Sequence, residues 1–123
     1  MSFATPEEAP NRSDALDVAG LGAFAVDVER RDDVAIVRAR GELDVATAET
    51  LRAALDGIVD AAGLVLDLHG LSFIDSTGLH LVVALHKRAQ RDGFELALLA
   101  PAPPVDRAFR ICGLDKALPF EAT

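Results

Sequence analysis

Ser76 stands in the run Asp75-Ser76-Thr77-Gly78-Leu79, where an apolar stretch gives way to helical spacing, and His69, His80 and His86 lie close to it in sequence. A serine hydroxyl in such a place can be a nucleophile, a helix cap or an acceptor of a phosphoryl group. Nucleophilic attack needs a base within hydrogen-bond reach, a third group to orient that base, and a sharp turn of the Gly-x-Ser-x-Gly type. Here the flanking residues are Asp-Ser-Thr-Gly, and no orienting acid is evident for His80, one helical turn onward. Hydrolysis is therefore disfavoured. A plain N-cap from Asp75 or Ser76 explains the turn in its simplest terms. A phosphoryl acceptor is also consistent with it, because a hydroxyl at a helix start lies beside unpaired N–H donors and the positive end of the helix dipole. Gly78 in the first turn is read as leaving the N–H groups of residues 77 to 79 open.

Other chemistries fail on spacing. Asp67 and Asp75 lie near a strand end, as a phosphate-accepting aspartate would. That chemistry also needs acidic magnesium ligands after another strand and a late lysine at a strand end. The sequence gives Glu29-Arg30-Arg31-Asp32-Asp33 after the first strand, and Lys116 follows a helix. No Gly-x-x-x-x-Gly-Lys-Ser/Thr loop occurs, so a nucleotide cradle is not expected. Neither His nor Asp spacing suggests a metal, and no cofactor is implied. The single Cys112 excludes an internal disulfide and a paired zinc motif. It is read as a small core residue on the apolar side of a short helix.

A chain of 123 residues with half of them apolar is one domain with one core. No apolar run is long enough for a membrane helix. The start MSFATPEEAPNRSD lacks the basic and apolar regions of a secretory signal, so a cytoplasmic protein is the simplest reading. The formal net charge of −8, with Tyr and Trp absent, argues against nucleic acid, which calls for clustered cations and stacking side chains. An acidic surface suits a partly basic protein partner instead.

The elements that must position Ser76 follow from periodicity. Residues 1–22 read as a flexible leader, in which Leu16, Val18 and Leu21 could form a brief helical turn, and residues 23–123 as the domain. Alternation over 23–29 and β-branched residues over 34–40, around a polar turn at 30–33, predict a hairpin ended by Gly41. Asp44 or Thr47 then caps a helix to about residue 60, with Ala48, Leu51, Leu55, Ile58 and Val59 inward and Gly63 as its stop. Leu64, Val65, Leu66 and Leu68 are a buried strand, and Phe73 with Ile74 is read as pressing the turn onto the core. A second helix over 77–91 turns Leu79, Val82, Val83, His86 and Ala89 inward. Lys87, Arg88 and Arg91 lie on its exposed side, usually just a solvated face, with a rim to the partner surface as the alternative. A strand over 94–99 and a helix from about Pro104, with Val105, Ala108, Phe109 and Cys112 inward and Gly113 as stop, complete the domain. Leu114, Leu118 and Phe120 close its edge. The order β, β, α, β, α, β, α implies an α/β fold: a mixed sheet of four or five strands with helices mainly on one side.

Four blocks carry a resemblance: Gly41-Glu42-Leu43-Asp44 with Thr47-Ala48-Glu49, the run from Asp67 through Leu79, Ala102-Pro103-Pro104-Val105, and Cys112-Gly113-Leu114. In order and spacing they resemble the STAS domain of bacterial anti-sigma factor antagonists, over roughly residues 24 to 120. The resemblance implies a non-enzymatic protein that binds an anti-sigma factor, often a serine kinase of the GHKL type, and so frees a sigma factor. It implies phosphorylation of Ser76 as the off-switch, Thr77 being the less favoured acceptor, and a phosphatase to reverse it. The implied partner surface comprises Asp44, Asp75, Ser76, Thr77, Gly78 and His80. Asp44 is either a helix cap or a residue that engages the kinase, and the two roles are compatible. His69 and His80 depart from the family pattern, where small or polar residues are more usual. The alternative is a sensory or scaffold module of the same fold that binds a small ligand or other STAS domains.

Overall fold

The structure, a computed structural model, describes residues 23–121. The expected leader, with its possible helical turn at Leu16, Val18 and Leu21, lies outside the described residues.

Strands β1 (Ala25–Arg31) and β2 (Val34–Leu43) pair antiparallel, with Val28 opposite Val37. The connection is only Asp32 and Asp33, and Asp32 takes a left-handed φ of 54°, which a short side chain with local hydrogen bonding tolerates. Gly41 does not end β2 as expected. It sits inside the strand at φ 95°, beside a shift in register with the neighbouring strand. A Cβ there would meet the Ala23 carbonyl oxygen at 2.7 Å, so both the dihedral and the close approach call for glycine.

Helix α1 (Ala48–Asp56) buries Ala48, Leu51 and Leu55 and stops at Gly57. It is shorter than its apolar spacing suggests, for Val59 is 65% exposed. Gly63 does not stop this helix but opens β3 (Gly63–Ile74), a longer strand than the 64–68 run. Two register irregularities against β2 let β3 continue past His69 and Gly70 while Leu71 and Ile74 still turn inward.

Helix α2 (Ser76–Asp92) buries Gly78, Leu81, Val82, Leu85 and Ala89 and ends at Gly93, φ 80°. The expected stripe is therefore rotated. Leu79, Val83 and His86 flank it, half-buried. Next come β4 (Glu95–Leu99), α3 (Pro103–Ile111) and the single turn α4 (Leu114–Ala117). Val105 and Phe109 of α3 are buried, but α3 ends before Cys112, which is exposed rather than part of the core.

The sheet order is β1-β2-β3-β4, with β2, β3 and β4 parallel. Its inward face carries Ala35, Val37, Ala39, Leu64, Leu66, Leu68 and Leu98, in one cluster with Leu51, Leu55, Leu81, Val82, Leu85 and Phe109. The other face is half-exposed and ionic: Arg38 pairs with Glu29 and Asp67, and Arg40 with Asp27. The tail returns to the sheet through Leu98, whose N–H donates to the Pro119 carbonyl at 3.0 Å, while Phe120 meets Phe109 edge to face at 5.2 Å.

Candidate functional site at the start of helix α2

The turn into α2 is fastened from three directions. The Asp75 N–H donates to the Leu43 carbonyl at 3.1 Å, tying the turn to the end of β2. The Asp75 carboxylate accepts the Gly78 N–H at 3.1 Å, and its carbonyl accepts the Leu79 N–H at 3.0 Å. Asp75, with extended backbone, is thus the N-cap, and Ser76 is the first helical residue.

This division of labour leaves the serine free. Ser76 is exposed, and among the described residues its hydroxyl makes no hydrogen bond, to a histidine or otherwise. The N–H groups left unpaired there are those of Ser76 and Thr77, not of residues 77 to 79, because Asp75 occupies those of Gly78 and Leu79. A small anionic group on the Ser76 oxygen would lie at two free donors and the positive end of a 17-residue helix.

Gly78, expected on the partner surface, is instead buried. A Cβ there would lie 2.6 Å from Ile74 Cγ1 and 2.9 Å from Leu43 Cγ, so glycine lets the first turn of α2 sit directly on the ends of β2 and β3. Its part is to place Ser76. Phe73 does not press the turn onto the core. It points away, 47% exposed, while Ile74 alone packs inward at 7%.

Asp44 and Thr47 form a second, reciprocal lock beside the first. The Asp44 carboxylate accepts the N–H groups of Ala46 and Thr47 at 3.0 and 3.1 Å. Thr47 Oγ1 accepts the Asp44 N–H at 3.0 Å and donates to the Glu42 carbonyl at 2.7 Å. Asp44 therefore does organise the entry to α1, and it is half-buried one residue past Leu43, to which the Ser76 turn is tied.

Thr77 and exposed His80 open onto a groove between α1 and α2, of 390 Å³, with Leu55, Leu81 and Leu85 in its floor. Arg52, Asp56 and Arg88 line it too, and Arg88 bridges the helices by donating to Asp56 at 3.3 Å. Arg88 is accordingly not part of a freely solvated basic face, and Arg91, though exposed, pairs with Asp92 at 2.9 Å, unlike exposed Lys87. His69 lies apart on β3, its N–H donating to Asp67 at 2.9 Å. Among the described residues no group of three or more His, Cys, Asp or Glu converges as metal ligands would. Sequence reasoning missed exposed Val45 and Phe73 and the inter-helix groove. The first two are apolar residues in positions where periodicity points inward or says nothing, and the groove depends on how α1 sits against α2.

Comparison with known proteins bears on the whole of this unit. A family model described as STAS domain matches residues 25–123. The chain is 34% identical over 98 residues to an anti-sigma F factor antagonist of Paenibacillus polymyxa, covering 77% of this chain and 84% of the relative. Among solved structures, an anti-sigma factor antagonist from Mycobacterium paratuberculosis superposes with a TM-score of 0.74 at 30% identity, covering 83% of this chain and 88% of the other. The anti-sigma factor antagonist SpoIIAA in its unphosphorylated form gives 0.66 at 25% identity, covering 80% and 89%. With the blocks around Asp44 and Ser76 held at adjoining strand ends, and with these relatives, the chain belongs to the STAS-domain family.

Proposed function

We propose that this protein is an anti-sigma factor antagonist that binds an anti-sigma factor, a serine kinase of the GHKL type, and is switched off by phosphorylation of Ser76. The observation that carries the reading is the Ser76 hydroxyl, exposed and without a hydrogen bond among the described residues, at the head of a helix whose cap is supplied by Asp75. The names of its relatives support the general role. The surface offered comprises Asp44, Asp75, Ser76, Thr77 and His80, with Gly78 beneath it. The protein is a binding partner and not a catalyst, it works in the cytoplasm, and a phosphatase restores it.

Phosphorylation adds about −1.5 to −2 charges and three acceptor oxygens. The domain tolerates them, since the Ser76 and Thr77 N–H groups and the helix dipole face the new group, each such interaction being worth about 0.3 to 1 kcal/mol at an exposed site. A partner shaped for a bare hydroxyl must instead accommodate its bulk and strip its water. A loss of about 3 to 4 kcal/mol weakens binding several hundredfold. Incubation with GHKL-type kinases of the source organism and ATP, followed by peptide mapping, tests the reading: modification at Ser76 is expected, and modification elsewhere with Ser76 untouched contradicts it.

A second reading, a sensory or scaffold module, has the α1–α2 groove in its favour, whose 390 Å³ falls in the range of small-molecule sites. A small molecule bound there, with no kinase partner, would support that reading over the first.

A further inference from the structure

Five large apolar side chains are exposed among the described residues, and two of them, Val45 at 75% and Phe73 at 47%, stand on the two chain segments that meet under Ser76. Phe73 is adjacent to Ile74 on β3, and Val45 lies two residues beyond Leu43 on β2, while Leu43 and Ile74 are paired across the strands. Strand spacing and chain length put the two Cα atoms within about 16 Å of each other. That is well inside a standard interface of about 800 Å² per partner. Neither side chain serves the core: Leu43 and Ile74 fill the inward positions, and Ala48 opens the buried stripe of α1.

The charges around this pair have one sign. Glu42, Asp44 and Asp75 sit on the same two segments. The nearest cations along the chain, Arg40 and Arg52, are already paired with Asp27 and Glu49.

The geometry points to Val45 and Phe73 as the apolar anchors of the docking surface, seated in an apolar recess rimmed by Lys and Arg on the anti-sigma factor. This inference rests on the proposed function and names what grips the partner there. It also gives the phosphoryl group a specific means of release. A hydrated dianion on Ser76, three residues from Phe73 along the chain, brings water to the edge of that dry contact, and the loss outweighs attraction to rim cations, which are exposed and screened.

The test measures affinity of the full chain for purified GHKL-type anti-sigma factors of the source organism, with thermal unfolding of each variant alongside. Phe73→Ala is expected to weaken binding at least about tenfold and Val45→Ala at least about threefold, both without lowering the unfolding temperature. Val59→Ala, 65% exposed but next to the opposite end of β3, is expected to bind within about twofold of the native chain. Were Phe73→Ala unstable, Val45→Ala carries the same test from a more exposed position. If the native chain binds and both anchor variants bind equally well, the inference fails and the proposed function stands. If Val59→Ala weakens binding as much as Phe73→Ala, the anchors are misplaced. If the native chain binds none of these proteins, the proposed function fails and the inference with it.

Discussion

Gly78 and Ser76, two residues apart, answer to opposite demands. Gly78 must be small because Ile74 and Leu43 leave no room for a methyl group. Gly78→Ala is expected to cost about 1 to 3 kcal/mol through overpacking, read as a lower urea midpoint; an unchanged midpoint would contradict the close approach. Asp75→Ala removes the carboxylate that caps α2 and is expected to cost about 1 kcal/mol in the same assay. Ser76→Ala removes only an exposed hydroxyl and is expected to leave the unfolding free energy within about 0.5 kcal/mol of the native value. The position of Ser76 was legible because Asp and Ser together announce a helix start. Which of them caps was not legible, since either side chain can reach the N–H groups. Nor was the outward turn of Phe73, because the second register shift, between the Leu71 and Phe73 pairings, sets its side and follows from pairing with β2, whereas Gly70 marks only the first.

Elements, not single residues, hold the two locks side by side. β2 ends in Leu43, whose carbonyl receives the α2 turn, and Asp44 then fixes the turn that leads to Thr47, the N-cap of α1. Asp44→Ala loses the carboxylate's bonds to the Ala46 and Thr47 N–H groups and is therefore expected to destabilise the domain by about 1 kcal/mol whatever its effect on a partner. On the outer sheet face Glu29 is held below its ordinary pKa by the hydrogen bond from Arg31 first and that from Arg38 second. A carboxyl whose folded pKa is depressed contributes stability above its unfolded value, 4.5, and loses it as pH falls through the folded one. Glu29→Gln is thus expected to reduce slightly the fall in unfolding free energy between about pH 5 and pH 2, and a steeper fall in the variant would contradict this pairing. The hairpin and α2 were readable from alternation and helical spacing. The end of α1 was not, because Ile58 and Val59 continue the helical spacing, yet Gly57 already terminates the helix and Val59 turns to solvent.

At the scale of the molecule, one apolar layer joins everything that positions the site. Phe109 is fully buried and meets Phe120 from the returning tail, so Phe109→Ala is expected to cost about 3 to 5 kcal/mol and to loosen the tail from β4. The mixed sheet with helices on one side was legible because the order of elements and the inward leucines agree. The α1–α2 groove was not, since it depends on how far apart two packed helices stand. On the function proposed, Ser76 is where the partner's grip is made and undone. The most direct measurement is the affinity of unmodified and singly Ser76-phosphorylated protein for the same anti-sigma factor, with circular dichroism on both. The phosphorylated form is expected to bind at least about a hundredfold more weakly while the two spectra coincide. Equal affinities would contradict it.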